Sequence, residues 1–190
     1  MPVIQLTRPA VGIEFVLVLA VLAAAVTDLR SRRIPNWLTV STLALGFVLN
    51  GLIAYPAPLD GLWLAAKGFA LAFGLNLVMY LLHMTAAGDV KLLAAIGAMV
   101  GCSDFLGILV LSSLIGGVLA IILMLIKGRV RQTLWNVAFM AGELMKWHSP
   151  HLRREQLDVG SSKAVRLPGA VRICLGVIAF LVMARVWAPA

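Results

Sequence analysis

Two aspartates stand at the polar edges of strongly apolar stretches of the chain. Asp28 closes the first apolar run, and Asp89 opens the run TAAGDVKLLAAIGAMVG. Asp89 has a simple structural explanation, because aspartate is a favoured N-cap residue at the start of a helix. Asp28 does not, because the helix dipole disfavours a carboxylate at a helix carboxyl end. Its structural alternative is a surface ion pair with a neighbouring arginine, worth at most about 1 kcal/mol if exposed.

Together, the two aspartates could hydrolyse a peptide bond. Two carboxylates that share a site of low dielectric constant do not both ionise easily, so one keeps its proton while the other can accept one. Such a pair can activate water and protonate a leaving amine without a metal ion or a nucleophilic side chain. The two groups would titrate as a unit, so the sequence does not assign the acid and the base.

Three residues near the second aspartate are candidates for supporting the site. Gly88 would let the backbone approach a substrate closely. Lys91 could bias the aspartate pair electrostatically or could reflect only the orientation of the protein in the membrane. His83 falls near the predicted depth of the pair, and ionisable groups within membranes are usually placed for a reason.

The composition indicates which elements must position these residues. Of 190 residues, 62% are hydrophobic and 13% charged, with a mean hydropathy of +1.00, which excludes an ordinary soluble domain. A membrane-spanning helix needs about 20 apolar residues. We therefore predict one all-α integral membrane domain, a bundle of about six transmembrane helices over residues 11–27, 37–54, 61–84, 90–101, 105–126 and 169–187.

The basic residues predict the orientation of this bundle. With six spans, all of the 16 lysines and arginines except Arg8, Lys67 and Arg185 fall on one side, which is then cytoplasmic. Both aspartates are predicted at that face. The basic cytoplasmic loop 127–167 begins with an apolar pattern of helical period, which predicts an amphipathic helix on the membrane surface. Because the basic residues lie between apolar segments, the net charge of +8 does not predict a nucleic-acid partner.

Neither a metal nor a cofactor is expected. Cys102 and Cys174 are predicted near opposite membrane faces, where they would be packing residues. His148 and His151 flank a proline in a polar loop, which is a poor metal site.

Three segments of the chain resemble the type IV prepilin peptidase family, membrane aspartic peptidases with a Gly-x-Gly-Asp motif. DLRSRRIPNWLT (28–39) resembles the family's first aspartate motif and AAGDVKLLAAIGAMVG (86–101) the second, while RLPGAVRICLG (166–176) is similar to the opening of the last helix. The resemblance implies that Asp28 and Asp89 are the catalytic pair. It also implies a prepilin substrate, whose short basic leader is cut after a glycine at the cytoplasmic face of the bacterial inner membrane.

The sequence departs from the family pattern at two points. Ala86 replaces the first glycine of the Gly-x-Gly-Asp motif, while Gly88 and Asp89 keep the rest. Only residues 1–10 precede the first predicted span, whereas larger bifunctional members carry a cysteine-containing segment there. The resemblance therefore implies the short, peptidase-only form that serves Flp-type or tight-adherence pili, without N-methyltransferase activity.

Two other functions compete with the peptidase. A small proton-coupled transporter could use membrane carboxylates as a proton relay, but relay groups usually lie near the membrane midplane. A non-catalytic membrane subunit of a secretion or pilus system would need the aspartates only as a cap and a surface pair.

Overall fold

The computed structural model describes residues 10–54, 56–82, 84–126 and 169–187, and the regular structure in these ranges is helical. All five helices are long and apolar enough to cross a membrane. The prediction of an all-α integral membrane protein is thus confirmed. In chain order the helices are α1 (Val11–Ser31), α2 (Asn36–Ile53), α3 (Pro58–Leu81), α4 (Ala87–Ile126) and α5 (Gly169–Trp187).

The predicted spans 90–101 and 105–126 both lie in α4, which is broken at Gly101. Asp89 and Gly116, on either side of the break, both contact the Arg172 side chain of α5. In a straight helix, residues 89 and 116 would be about 40 Å apart at a rise of about 1.5 Å per residue. The chain therefore turns back at Gly101, giving a first arm (87–100) and a second arm (102–126). About six separate helices were predicted and the described ranges contain five, because these two spans form one broken helix.

A single glycine makes this turn in place of the short connection predicted at 102–104. Gly101 has φ of 79° and ψ of −177°, a conformation that side chains with a Cβ rarely adopt. A helix break leaves carbonyl oxygens without their usual partners. Asn50 of α2 donates hydrogen bonds from Nδ2 to the carbonyls of Ala98 and Met99, at 3.1 Å each. This buried amide joins α2 to the end of the first arm.

The first arm is short for a membrane span, and other helices surround it. All residues from Asp89 to Gly101 are buried except Lys91. A helix that is apolar on every side belongs in the interior of a protein. A span this short can be accommodated by thinning of the bilayer or by burial among neighbouring helices, and the structure shows the burial.

Close contacts between small residues hold the helices together. A Cβ added to Gly68 of α3 would overlap the carbonyl oxygen of Gly97, and one added to Gly97 would lie 2.5 Å from Cβ of Ala72. Between α5 and the second arm, a Cβ on Gly176 would lie 2.7 Å from Cα of Ser112. Because lipid provides no hydrophobic drive for association within the membrane, such van der Waals contact is a main source of helix packing.

An ion pair joins α1 to α5 at the end of the bundle remote from Asp28. Nη2 of Arg185 lies 2.7 Å from Oε2 of Glu14, whose side chain is buried. Because the pair links the start of α1 to the end of α5, it fixes these antiparallel helices in register.

Three predictions concern residues outside the described ranges. They are the cytoplasmic loop 127–167 with its surface helix, the interpretation of His148 and His151 within that loop, and the supporting role of His83.

Candidate active site

Asp28 lies in the last turn of α1 and is held by α5. Its side chain is buried, and Oδ2 accepts a hydrogen bond of 3.0 Å from the backbone N–H of Ala170, the second residue of α5. The first N–H groups of a helix have no partner within the helix, and the positive end of the helix dipole lies there. The amino end of α5 thus offsets the unfavourable position of Asp28 at the carboxyl end of α1.

The alternative explanation of Asp28 as half of a surface ion pair is not what the structure shows. Arg30, Arg32 and Arg33 are exposed, whereas Asp28 is only 8% exposed. In the described part of the chain, no ion pair joins Asp28 to these arginines.

Asp89 lies inside the first turn of α4 and faces α5. The carbonyl of Ala86 accepts hydrogen bonds from the N–H groups of Asp89 and Val90, at 3.0 and 3.3 Å, so Ala86 occupies the N-cap position. The N-cap explanation of Asp89 is therefore wrong. The residue is buried, and Nη2 of Arg172 lies 3.2 Å from its Oδ2.

The first residue of α5 touches the same carboxylate. A Cβ added to Gly169 would lie 2.6 Å from Cγ of Asp89 and closer still to both of its carboxylate oxygens. The α5 backbone can therefore pass this close to Asp89 only because residue 169 lacks a side chain.

The structure brings the two predicted carboxylates together at one end of the bundle. Asp28 contacts Ala170 and Asp89 contacts Gly169, so consecutive residues of α5 join them. Both side chains are also buried, and burial disfavours the ionised form of a carboxyl group.

The candidate supporting residues lie around the pair in different ways. Gly88 is helical, and a Cβ there would lie 3.5 Å from Ile34, which is ordinary van der Waals contact. Lys91 is exposed and donates a hydrogen bond of 3.0 Å from Nζ to Oδ1 of Asn36. Lys91 therefore links the second aspartate motif to the first without touching either aspartate in the described contacts. His83 is outside the described residues.

The described residues contain no group of three or more His, Cys, Asp or Glu side chains arranged to hold a metal ion. Both cysteines are free, and Cys174 is buried in the core. The groups that the described residues place at this site are carboxylates, a guanidinium group and a backbone N–H group.

The sequence did not single out the α5 residues that touch the aspartates. Segment 166–176 was noticed, but Gly169, Ala170 and Arg172 were given no role at the site. Arg172 offered one usable indication, because an arginine inside an apolar span is costly and commonly has an internal partner. A donated backbone N–H has no indication in the sequence.

Comparisons with known proteins agree with the motifs. The sequence model of the type IV leader peptidase family matches residues 15–121. A protein of Xanthomonas campestris pv. campestris, named prepilin leader peptidase/N-methyltransferase, is 36% identical in an alignment of 117 positions. The match covers 56% of this chain and 38% of that protein. The chain thus matches well under half the length of this relative. No solved structure gives a significant match.

Proposed function

Because this chain belongs to the type IV leader peptidase family, we propose that it is a membrane aspartic endopeptidase that removes the short basic leader of a prepilin. The observation that carries this proposal is the meeting of Asp28 and Asp89 at the first turn of α5. Both aspartates lie within the stretch that the family matches, residues 15–121. The name of the Xanthomonas relative supports a prepilin as the substrate.

The aspartate pair would cut the peptide bond by general acid and base catalysis. The ionised carboxylate takes a proton from water as the water oxygen attacks the scissile carbonyl carbon. The protonated carboxyl then gives its proton to the amide nitrogen as the C–N bond breaks. The leader leaves with a new carboxyl terminus and the mature pilin with a new amino terminus. The site retains one proton, and its two carboxyls have exchanged roles.

We propose that the site faces the cytoplasm from the inner membrane. Arg30, Arg32, Arg33 and Lys91 are exposed at the same end of the bundle as the aspartates. An excess of basic residues is typical of the cytoplasmic side. The apolar helix of a prepilin would then lie in the bilayer beside the bundle, with its basic leader in water next to the aspartates.

We further propose that the substrate is a Flp-type prepilin and that this chain does not methylate the new amino terminus. Both statements depend on the resemblance to the short members of the family. The second statement is testable with purified protein. Incubation with cleaved pilin and radiolabelled S-adenosylmethionine should transfer no label to the pilin. Stoichiometric labelling of the pilin would contradict the second statement.

The transporter alternative receives no support from the position of the carboxylates. Asp28 is in the last turn of α1 and Asp89 in the first turn of α4, so both lie at helix ends. Proton-relay groups of transporters usually lie near the midplane, often at broken helices. The break in α4 is at Gly101, far along the first arm from Asp89.

The proposed activity can be tested by co-expression with a candidate Flp-type prepilin. Processing is followed as a decrease in pilin size on a gel, for wild type, Asp28→Ala and Asp89→Ala. We expect processing to be lost in both variants while their amount in the membrane fraction stays normal. Asp60→Ala is the matched control, because Asp60 is an exposed aspartate at the start of α3, away from the pair. Unimpaired processing by both Asp28→Ala and Asp89→Ala would end the proposal.

A further inference from the structure

We propose that Gly169 and Arg172 are positioning residues that hold Asp89 beside Asp28, so that the first turn of α5 aligns the aspartate pair. This inference rests on the peptidase function proposed above. It assigns no chemical step to α5. Instead, it assigns α5 the task of setting where the two carboxyl groups lie.

The steric part of the inference concerns Gly169. Its Cα lies against the Asp89 carboxylate so closely that a methyl group would overlap both oxygens. The next residue, Ala170, donates its N–H to Asp28. A side chain at position 169 would therefore separate α5 from Asp89, and the N–H that holds Asp28 belongs to the same turn. Displacement of this turn would alter both carboxyl positions together.

The electrostatic part concerns Arg172. Its guanidinium group lies 3.2 Å from Oδ2 of Asp89, and its side chain is 33% exposed compared with 10% for Asp89. The Arg172 stem passes Gly116, where a Cβ would lie 3.3 Å from Cδ of the arginine. The arginine is thus supported by the second arm of α4 while it binds the first arm. A charged, directional hydrogen bond of this kind fixes one carboxylate oxygen.

A size-exchange experiment, in which residue 169 is enlarged and its neighbour Asp89 is truncated, tests the steric contact between them without any substrate. Gly169→Ala is introduced into the full chain in two backgrounds, wild type and Asp89→Ala, and thermal unfolding is followed in detergent. Because the added methyl group meets the Asp89 side chain, we expect Gly169→Ala to lower the unfolding midpoint by about 4 °C or more in wild type. The decrease should be less than half as large in the Asp89→Ala background. An equal decrease in both would overturn the steric assignment.

Gly117→Ala is the matched control for this experiment. A Cβ on Gly117 meets no atom within 4 Å, so the same chemical change should leave the unfolding midpoint unchanged or raise it slightly, and equally in both backgrounds. If Gly117→Ala showed the same dependence on Asp89, the coupling would not be specific to α5 and the inference would fail.

Kinetics with a prepilin test whether positioning matters for the reaction. We expect Gly169→Ala and Arg172→Leu each to lower kcat at least about tenfold and to leave KM within about twofold, because neither residue is assigned a contact with the leader. Arg172→Lys should have a higher kcat than Arg172→Leu, because lysine keeps the positive charge. Its kcat should stay below that of wild type, because lysine lacks the planar guanidinium group. Arg30→Leu removes an exposed arginine at the same end of the bundle and should leave kcat unchanged.

The opposite kinetic result has a distinct physical meaning. If Arg172 merely blocked Asp89 in the resting protein, Arg172→Leu would cut prepilin as fast as wild type or faster, and that result would overturn the inference. If wild-type protein cuts no prepilin at all, the proposed function fails instead. In that case the size-exchange experiment still decides whether Gly169 sets the position of Asp89.

Discussion

The turn at Gly101 gives a quantitative prediction, because the whole arrangement of α4 depends on it. Gly101→Ala would place a residue with a Cβ at φ of 79° and ψ of −177°. That region is almost restricted to glycine, and occupying it costs another residue about 1–3 kcal/mol. The new Cβ would also lie 3.2 Å from Cγ and Cδ2 of Leu64 on α3, a tight contact that adds about 1 kcal/mol. The total is a loss of about 2–4 kcal/mol in the free energy of unfolding.

Thermal unfolding of the purified chain in detergent measures this loss. With about 2–4 °C per kcal/mol for a chain of this length, the midpoint should decrease by about 4 °C or more. Gly74→Ala is the control, because Gly74 is in α3 and a Cβ there meets nothing within 4 Å. It should leave the midpoint unchanged or raise it slightly, since alanine favours helix more than glycine does.

A second background separates the two causes of the loss. Leu64→Ala removes the side chain that the new methyl group would meet, so it should relieve only the steric share. Most of the decrease caused by Gly101→Ala should therefore persist when Leu64 is already alanine. If the decrease disappears there, backbone conformation is not what requires glycine at this position. If Gly101→Ala unfolds at the wild-type temperature in the first place, the turn itself is refuted.

Three further predictions concern other parts of the bundle. Asn50→Leu should lower the free energy of unfolding by about 1–2 kcal/mol in denaturant titrations, because it removes the hydrogen-bond donor to the carbonyls of Ala98 and Met99. An unchanged denaturation midpoint would contradict this. Arg185→Met should lower the unfolding midpoint more than Glu14→Gln, because the first leaves a buried carboxylate without this ion pair; equal effects would argue against the pairing. Gly88→Ala should leave the unfolding midpoint unchanged, because the new Cβ would lie 3.5 Å from Ile34. It should reduce prepilin cleavage if the substrate backbone passes Gly88, and a fully active variant would show that Gly88 is not part of the site.

Much of the bundle could be predicted because membrane helices are encoded in local composition. The predicted spans 37–54 and 169–187 match α2 and α5 to within one residue. The predicted span 11–27 ends four residues before α1, because the prediction stopped at the polar residues Asp28 and Arg30. The polarity of a side chain marks where an apolar run stops, but a helix can continue into the interface as long as its backbone hydrogen bonds are made.

The turn within α4 was harder to predict, because glycine occurs in membrane helices for two different reasons. Gly97 and Gly101 are four residues apart in the same apolar run. Gly97 is helical and allows α3 to approach, whereas Gly101 has a positive φ and ends the first arm. Composition does not distinguish close packing from a change in backbone direction. The count of basic residues on each side supplied the missing information, since it required the chain to cross again.

Residues outside the matched family segment complete the candidate site. The match covers residues 15–121 and therefore includes both aspartates, but Gly169, Ala170 and Arg172 come later in the chain. Until α5 packs against α1 and α4, Asp28 lacks the N–H of Ala170 and Asp89 lacks Arg172. The two carboxylates that are buried in the folded protein are then without these partners. Such groups remain stable only in contact with water or with a proton bound. We therefore expect the alignment of the two aspartates to depend on the packing of α5 against α1 and α4. The Glu14–Arg185 ion pair, at the other end of α1 and α5, favours this packing because it holds the register of the two helices.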